Sequence, residues 1–366
     1  MCESESKVSG LEKKIKDGSK CFEDYKLLAE IYYEGEEYEK LLMLIEKTFK
    51  LPLKNKEKAF AFTFKGLVLG NQGNREEFSC YEPSIRLLAN EKETSEILYL
   101  KGLNHYKLLH GTCNESSDEH SRLALEIFEK LSKKDAEYEG HMVNYYLGIL
   151  YTGIKKFSEA IEAFDKAIEM SKNNAEKSSC LSEIAITYSD QGYYSESEKT
   201  FERIFRMTDD NKDYSILYYN MGTMYFNSNN NGKAIDAFKN ALRYLEFAPI
   251  LVNHKIYIAK LYWYLGTLAY GYNNDVDKAI NHFNKVLENI GEDHTDFCDV
   301  HITLGHCYLV KKDYDIAISC YNKVLSAPLV TDSEKAFAME CLKEVEKRKK
   351  GAGIGSFFSK ITKKKK

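Results

Sequence analysis

The chain has 366 residues, 43% of them hydrophobic, and its 52 basic and 56 acidic side chains give a net charge of −4. No run reaches the ~18 consecutive apolar residues of a membrane span, and the opening MCESESKVSG has no apolar signal core, which predicts no secretion. Nine cysteines are scattered without Cys-x-x-Cys pairing, which suits reduced thiols in a cytoplasmic protein.

Residues 1–20 are polar, with a short helix predicted around Leu11 and Ile15 as an N-terminal cap. Apolar periodicity then predicts helix pairs over 22–52, with Gly35 in its turn, and over 59–90, whose second helix contains Pro83. A third pair (95–136) carries the insertion HGTCNESSDEHSR at 110–122 between its helices. The fourth, 141–174, is the clearest. Leu147, Gly148 and Tyr151 share one face, and Gly153 with Lys155 and Lys156 interrupts the pattern. Ser158 is the expected N-cap of a second helix, which carries Phe157, Ala160, Ile161, Phe164, Ala167 and Ile168 as an apolar stripe. Gly148 inside a helix costs ~1 kcal/mol against alanine. A close helix crossing would account for it, with Ala160 and Ala167 as the matching small residues.

Further pairs are expected over 178–211 and 215–247, then, past Pro249, over 255–290 and 298–329. The turn YNNDVDKA in the seventh has one extra residue. Thr331 and Glu334 form a capping-box pattern that opens a helix over 331–350 with Phe337, Cys341, Leu342 and Val345, expected to cover the last pair. Residues 347–366 hold nine Lys or Arg and no acid, which leaves the remainder at −13.

Small residues equivalent to Gly148 stand at Ala29, Gly66, Gly102, Ala185, Gly222, Gly266 and Gly305, at steps of 36 to 46 residues. Such a period is a repeat signature. Tyr218, Met221, Gly222, Tyr225, Ala234 and Phe238 fit the pattern aromatic-x2-Leu-Gly-x2-Tyr followed by Ala-x3-Phe. His301, Leu304, Gly305, Tyr308, Ala317 and Tyr321 fit it too, followed by Pro328. The chain therefore resembles the tetratricopeptide-repeat family over about residues 21–330, with the second repeat degenerate for want of a clear Ala-x3-Phe. The resemblance implies an all-α solenoid, a right-handed superhelix of about eight antiparallel helix pairs, with a capping helix and a basic tail over 351–366.

It also implies a concave groove lined by the first helix of each pair. The positions one step from the buried face are Tyr99, Leu103 and Tyr106; Tyr145, Ile149 and Thr152; Tyr219, Thr223 and Phe226; and Trp263, Thr267 and Tyr270. This aromatic, weakly charged wall suits an extended peptide or an amphipathic helix. The same side chains would equally suit packing between neighbouring first helices. Asn220 and Lys260 occupy two places of the carboxylate clamp that some family members use, but Ser182 and Ile186 stand where its leading pair belongs, and the first repeat offers Lys26 followed by Glu30.

Cys298, His301, His306 and Cys307 are zinc-type side chains, yet His301 and His306 diverge by about 140° on one helix. His105, His110, Cys113 and His120 match no zinc spacing. No phosphate loop, Gly-x-Ser-x-Gly or His-Glu-x-x-His motif occurs. In the tail, Ile354, Phe357, Phe358 and Ile361 share a face if helical, with Lys360, Lys363 and Lys364 beside them, a pattern suited to weak contact with an anionic membrane. The resulting expectation is a non-catalytic scaffold or adaptor with a protein or peptide partner and no cofactor, metal, nucleic acid or small-molecule substrate. A peptide-responsive regulator and a peripheral membrane assembly factor are the alternatives.

Overall fold

The computed structural model describes residues 2–71, 75–109, 114–207, 214–245, 254–292, 294, 296–328 and 330–349. Among them are 18 α-helices and no strand, so the chain is all-α. It divides into two units, Met1–Asp209 and Asp210–Lys366.

In the first unit, α1 (Cys2–Lys16) precedes five helical hairpins: α2 (Phe22–Glu34) with α3 (Tyr38–Thr48), α4 (Asn55–Asn71) with α5 (Phe78–Leu88), α6 (Ser95–Leu108) with α7 (Asn114–Lys134), α8 (Gly140–Gly153) with α9 (Phe157–Met170), and α10 (Asn174–Asp190) with α11 (Tyr194–Met207). The second unit holds α12 (Tyr214–Asn227) with α13 (Asn231–Tyr244), α14 (His254–Gly271) with α15 (Val276–Leu287), α16 (Phe297–Val310) with α17 (Tyr314–Ser326), and then α18 (Asp332–Lys349).

The turn closing α8 shows how a hairpin reverses. Lys155 adopts a left-handed φ of 61°. Its N–H then reaches the Thr152 carbonyl and that of Lys156 the Tyr151 carbonyl, both at 2.9 Å, so the last carbonyls of α8 are satisfied without solvent. The expected cap at Ser158 is displaced by this turn. Lys156 is the N-cap of α9, with no side-chain hydrogen bond.

Inside six of the eight hairpins the periodic small residue is a glycine, and it serves a different purpose from the expected one. A Cβ on Gly148 would lie 2.5 Å from a ring carbon of Phe164, rather than against Ala160 or Ala167. The arrangement recurs at Gly66 with Tyr81, Gly102 with Phe128, Gly222 with Phe238, Gly266 with Phe283 and Gly305 with Tyr321, at 2.5 to 2.9 Å. All six rings are at most 1% exposed. Glycine is therefore selected to seat an aromatic ring over bare backbone. The second hairpin lacks the Ala-x3-Phe pattern and carries Pro83 inside α5, yet it keeps the pair.

The insertion of the third hairpin also departs from expectation. Residues 114–122 belong to α7, which runs for 21 residues, and His120 Nδ1 lies 2.9 Å from His105 Nδ1. Nearby, three fully buried polar side chains tie α4, α5 and α6 together. Thr63 Oγ1 is 3.0 Å from Asn104 Oδ1, and Asn104 Nδ2 donates to Ser84 Oγ at 2.9 Å.

Both terminal helices cover the hairpin beside them. Leu11 of α1 is 6% exposed, and the Tyr32 hydroxyl donates to Glu12 Oε1 at 2.5 Å. At the other end the capping box forms as read. Thr331 N donates to Glu334 Oε2 at 2.7 Å, and Glu334 N to Thr331 Oγ1 at 3.2 Å. Helix α18 then buries Ala338, Cys341 and Val345. Residues 351–366, with Ile354, Phe357, Phe358, Lys360, Ile361, Lys363 and Lys364, lie outside the described residues, as do His110 and Cys113.

Candidate functional site

In the first unit, steps of three and four residues bring Lys26, Glu30 and Tyr33 to one face of α2, Phe60, Phe64 and Leu67 to one face of α4, and Glu96, Tyr99 and Leu103 to one face of α6. With Tyr138 and Glu139 at the head of α8, these faces enclose a cleft of about 290 Å³. Glu139 enters it from a left-handed backbone, φ 51°.

The walls are aromatic. Phe60 stacks on Phe64 with ring centroids 4.3 Å apart, Tyr33 meets Phe64 edge-on at 5.7 Å, and Tyr99 meets Tyr138 edge-on at 6.2 Å. The charge within is acidic. Glu30, Glu34, Glu96 and Glu139 line the cleft against a single cation, Lys26. Lys26 Nζ donates to Glu96 Oε1 at 2.5 Å and sits 5.5 Å from the Phe60 ring centroid. Burial alone would lower the Lys26 pKa, but the hydrogen bond and charge of Glu96 outweigh it and leave the pKa raised. Burial raises the pKa of Glu30; Lys26 opposes this, while Glu139 and Glu34 add to it. Burial, with Glu96 and Glu139 nearby, pushes Tyr138 up to about 12.

The residues expected to line a groove are mostly half-buried bridges between first helices. Leu103 is 4% exposed and belongs to the core as well as the cleft floor. Tyr106 packs on Tyr146 at 4.5 Å, Tyr145 donates to Glu183 at 3.3 Å, and the hydroxyls of Thr152 and Thr187 meet at 3.1 Å. Ile149 is half-buried. In the second unit, Tyr219 packs against Tyr257 at 5.3 Å, while Phe226 and Trp263 each meet Tyr264 at 5.2 Å. Thr223 and Thr267 donate to carbonyls of their own helices. Tyr270 and Asn220 are half-buried and Lys260 is exposed.

In the first hairpin, the donors of a carboxylate clamp are replaced. Lys26 is engaged by Glu96, and Glu30 is negative where the clamp needs a hydrogen-bond donor. The histidines of α16 point apart. His301 packs edge-on against Phe297, whereas His306 Nε2 lies 3.6 Å from Cys341 Sγ. Among the described residues no group of three or more His, Cys, Asp or Glu is placed to hold a metal ion. None of the described helices is long and apolar enough to cross a membrane.

Sequence reasoning did not assign the acidic half of the cleft. The offsets from Gly102 that gave Tyr99, Leu103 and Tyr106, carried back to Ala29, give Lys26, Glu30 and Tyr33. That signal was present. Tyr138 and Glu139, by contrast, come from a turn outside the repeat register.

Two tetratricopeptide repeat models match the chain, one over residues 117–175 and one over 216–244 and 299–328. Among solved structures, a tetratricopeptide repeat protein from Parabacteroides merdae is similar at a TM-score of 0.51 and 18% identity, over 78% of this chain and 98% of that one. MamA is similar at a TM-score of 0.40 and 22% identity, over 52% of this chain and 97% of that one. YrrB, described as having an unusual peptide-binding site, is similar at a TM-score of 0.40 and 17% identity, over 59% and 99%. No curated protein matches. The repeat models show that the chain carries tetratricopeptide repeats over 117–175, 216–244 and 299–328, and the recurring glycine–aromatic pairs give hairpins outside those segments the same packing.

Proposed function

We propose that this chain is a non-catalytic scaffold that holds a segment of a partner protein, an extended peptide or one helix face, in the cleft formed by α2, α4, α6 and the head of α8. Tetratricopeptide-repeat proteins generally serve as protein–protein interaction scaffolds, and the fold supports that general role here. The cleft carries the finer reading. It is a concavity of about 290 Å³ whose rings already pack on one another, Phe60 and Tyr33 on Phe64 and Tyr99 on Tyr138, so little side-chain entropy is lost when they engage a guest. Aromatic anchors in a pre-formed hollow are the side chains that dominate binding energy at interfaces.

Affinity capture with the full chain tests this. Tyr33→Ala with Tyr99→Ala should release partners retained by the wild type, while Trp263→Ala with Tyr219→Ala tests the second unit in the same way. Partners retained by both double variants would remove the first-helix faces from consideration. A screen for turnover should find none. Activity abolished by a single substitution would overturn the scaffold reading.

A further inference from the structure

We propose that the cleft seats a cationic side chain, lysine or arginine, supplied by the partner polypeptide; this rests on the scaffold reading above and adds its chemistry. Four carboxylates face the cleft, and the one lysine among its lining residues is committed to Glu96. The side chains of Glu30, Glu34 and Glu139 accept no hydrogen bond from any described residue. Burial is the main cause of the raised Glu30 pKa; Lys26 opposes it, and the like charges of Glu139 and Glu34 add to it. Like charges held close destabilise a fold, and Lys26, itself bonded to Glu96, offsets them only in part, so a further cation in the cleft is favourable.

The rings around these carboxylates indicate what that guest is. Tyr33, Phe64, Tyr99 and Tyr138 present aromatic surfaces to the same cleft, and aromatic faces attract ammonium and guanidinium groups. The protein already displays the arrangement once, in Lys26, whose ammonium sits between Glu96 and the Phe60 ring. Tyr99, largely buried on the floor, makes two ring contacts but no hydrogen bond from its hydroxyl to a described residue. That hydroxyl is an unused acceptor for an N–H donor. A bare divalent ion is a poorer fit, because no three carboxylates converge to ligate one. A neutral peptide would leave the carboxylates facing each other unpaired.

The test uses the full chain and fluorescently labelled peptides in which alanine alternates with lysine, arginine, glutamine or glutamate, followed by anisotropy. The lysine or arginine peptide should bind at least about tenfold more tightly than the glutamine peptide, or ~1.4 kcal/mol, and the preference should shrink with added salt. Glu30→Gln with Glu139→Gln should abolish that preference by weakening the lysine and arginine peptides at least about tenfold, and hold or raise the thermal midpoint. Glu39→Gln with Glu46→Gln, on the exposed face of α3, should change nothing. Equal binding of lysine, arginine and glutamine peptides would overturn the cation assignment and leave the scaffold reading standing. A cationic preference that survives the Glu30 and Glu139 substitutions would overturn the site, as would no binding of any peptide. Tyr33→Ala with Tyr99→Ala in partner capture reports separately on the scaffold.

Discussion

Gly148→Ala puts the central packing argument at risk, because helix propensity and core packing predict opposite outcomes. Propensity favours alanine inside α8 by ~1 kcal/mol. Against that, the added methyl would stand 2.5, 2.6 and 2.6 Å from three carbons of the Phe164 ring, where ordinary contact begins near ~3.5 Å. The ring must retreat by roughly an ångström, yet it is fully buried and has Tyr145 beside it at 6.0 Å. Overpacking of this kind costs about 1–3 kcal/mol, so the net effect should be a loss of roughly 0–2 kcal/mol. Gly10→Ala in α1 supplies the control, since a Cβ there meets nothing within 4 Å, and it should gain up to ~1 kcal/mol. Because a repeat array couples chiefly nearest neighbours, hydrogen exchange in α8 and α9 is the right readout beside urea melts. Phe164→Leu should cost less in the Gly148→Ala background than alone. If Gly148→Ala stabilises as much as Gly10→Ala, the ring-seat account of the periodic glycines fails.

Three further outcomes follow from the same structure. Thr331→Ala removes half of the capping box and should weaken α18 by ~1 kcal/mol, seen as faster exchange confined to its first turns. Asn104→Ala leaves Thr63 and Ser84 buried with fewer partners and should cost about 1–3 kcal/mol, read from chemical melts. Burial, with His120 and Lys101 adding to it, lowers the His105 pKa to about 4. The unfolded chain therefore binds the extra proton between about pH 6.5 and 4, and stability should fall as pH drops through that window. His105→Gln should flatten that part of the pH–stability curve, and an unchanged slope would show that His105 does not contribute to it.

How much of this was legible beforehand depends on the range of the interaction. Helices, hairpin order, the Thr331–Glu334 box and the period of small residues are encoded within a few turns of chain. They could be read because each depends on neighbours three, four or some forty positions away. The reason for the period was not legible. Gly148 and Phe164 are 16 residues apart, and only the crossing of α8 and α9 shows that the glycine faces a ring rather than an alanine. Ser158 is not the cap because the turn after α8 lets α9 begin at Phe157, with Lys156 as its N-cap and Ser158 already inside the helix. The insertion at 110–122 read as lying between the two helices of the third pair, yet from 114 onward it is part of the second helix, with His120 against His105.

By itself, then, the sequence determined an all-helical protein built of tetratricopeptide-type repeats, because periodicity and turn chemistry are local. Only the tertiary structure decided which inner-face side chains line a hollow and which are used up between helices. It brought Glu30, Glu96 and Glu139 from three separate segments to one cleft beside Tyr33, Tyr99 and Tyr138. Charge proximity across hairpins depends on distances in space, and the spacing of residues along one helix does not contain them.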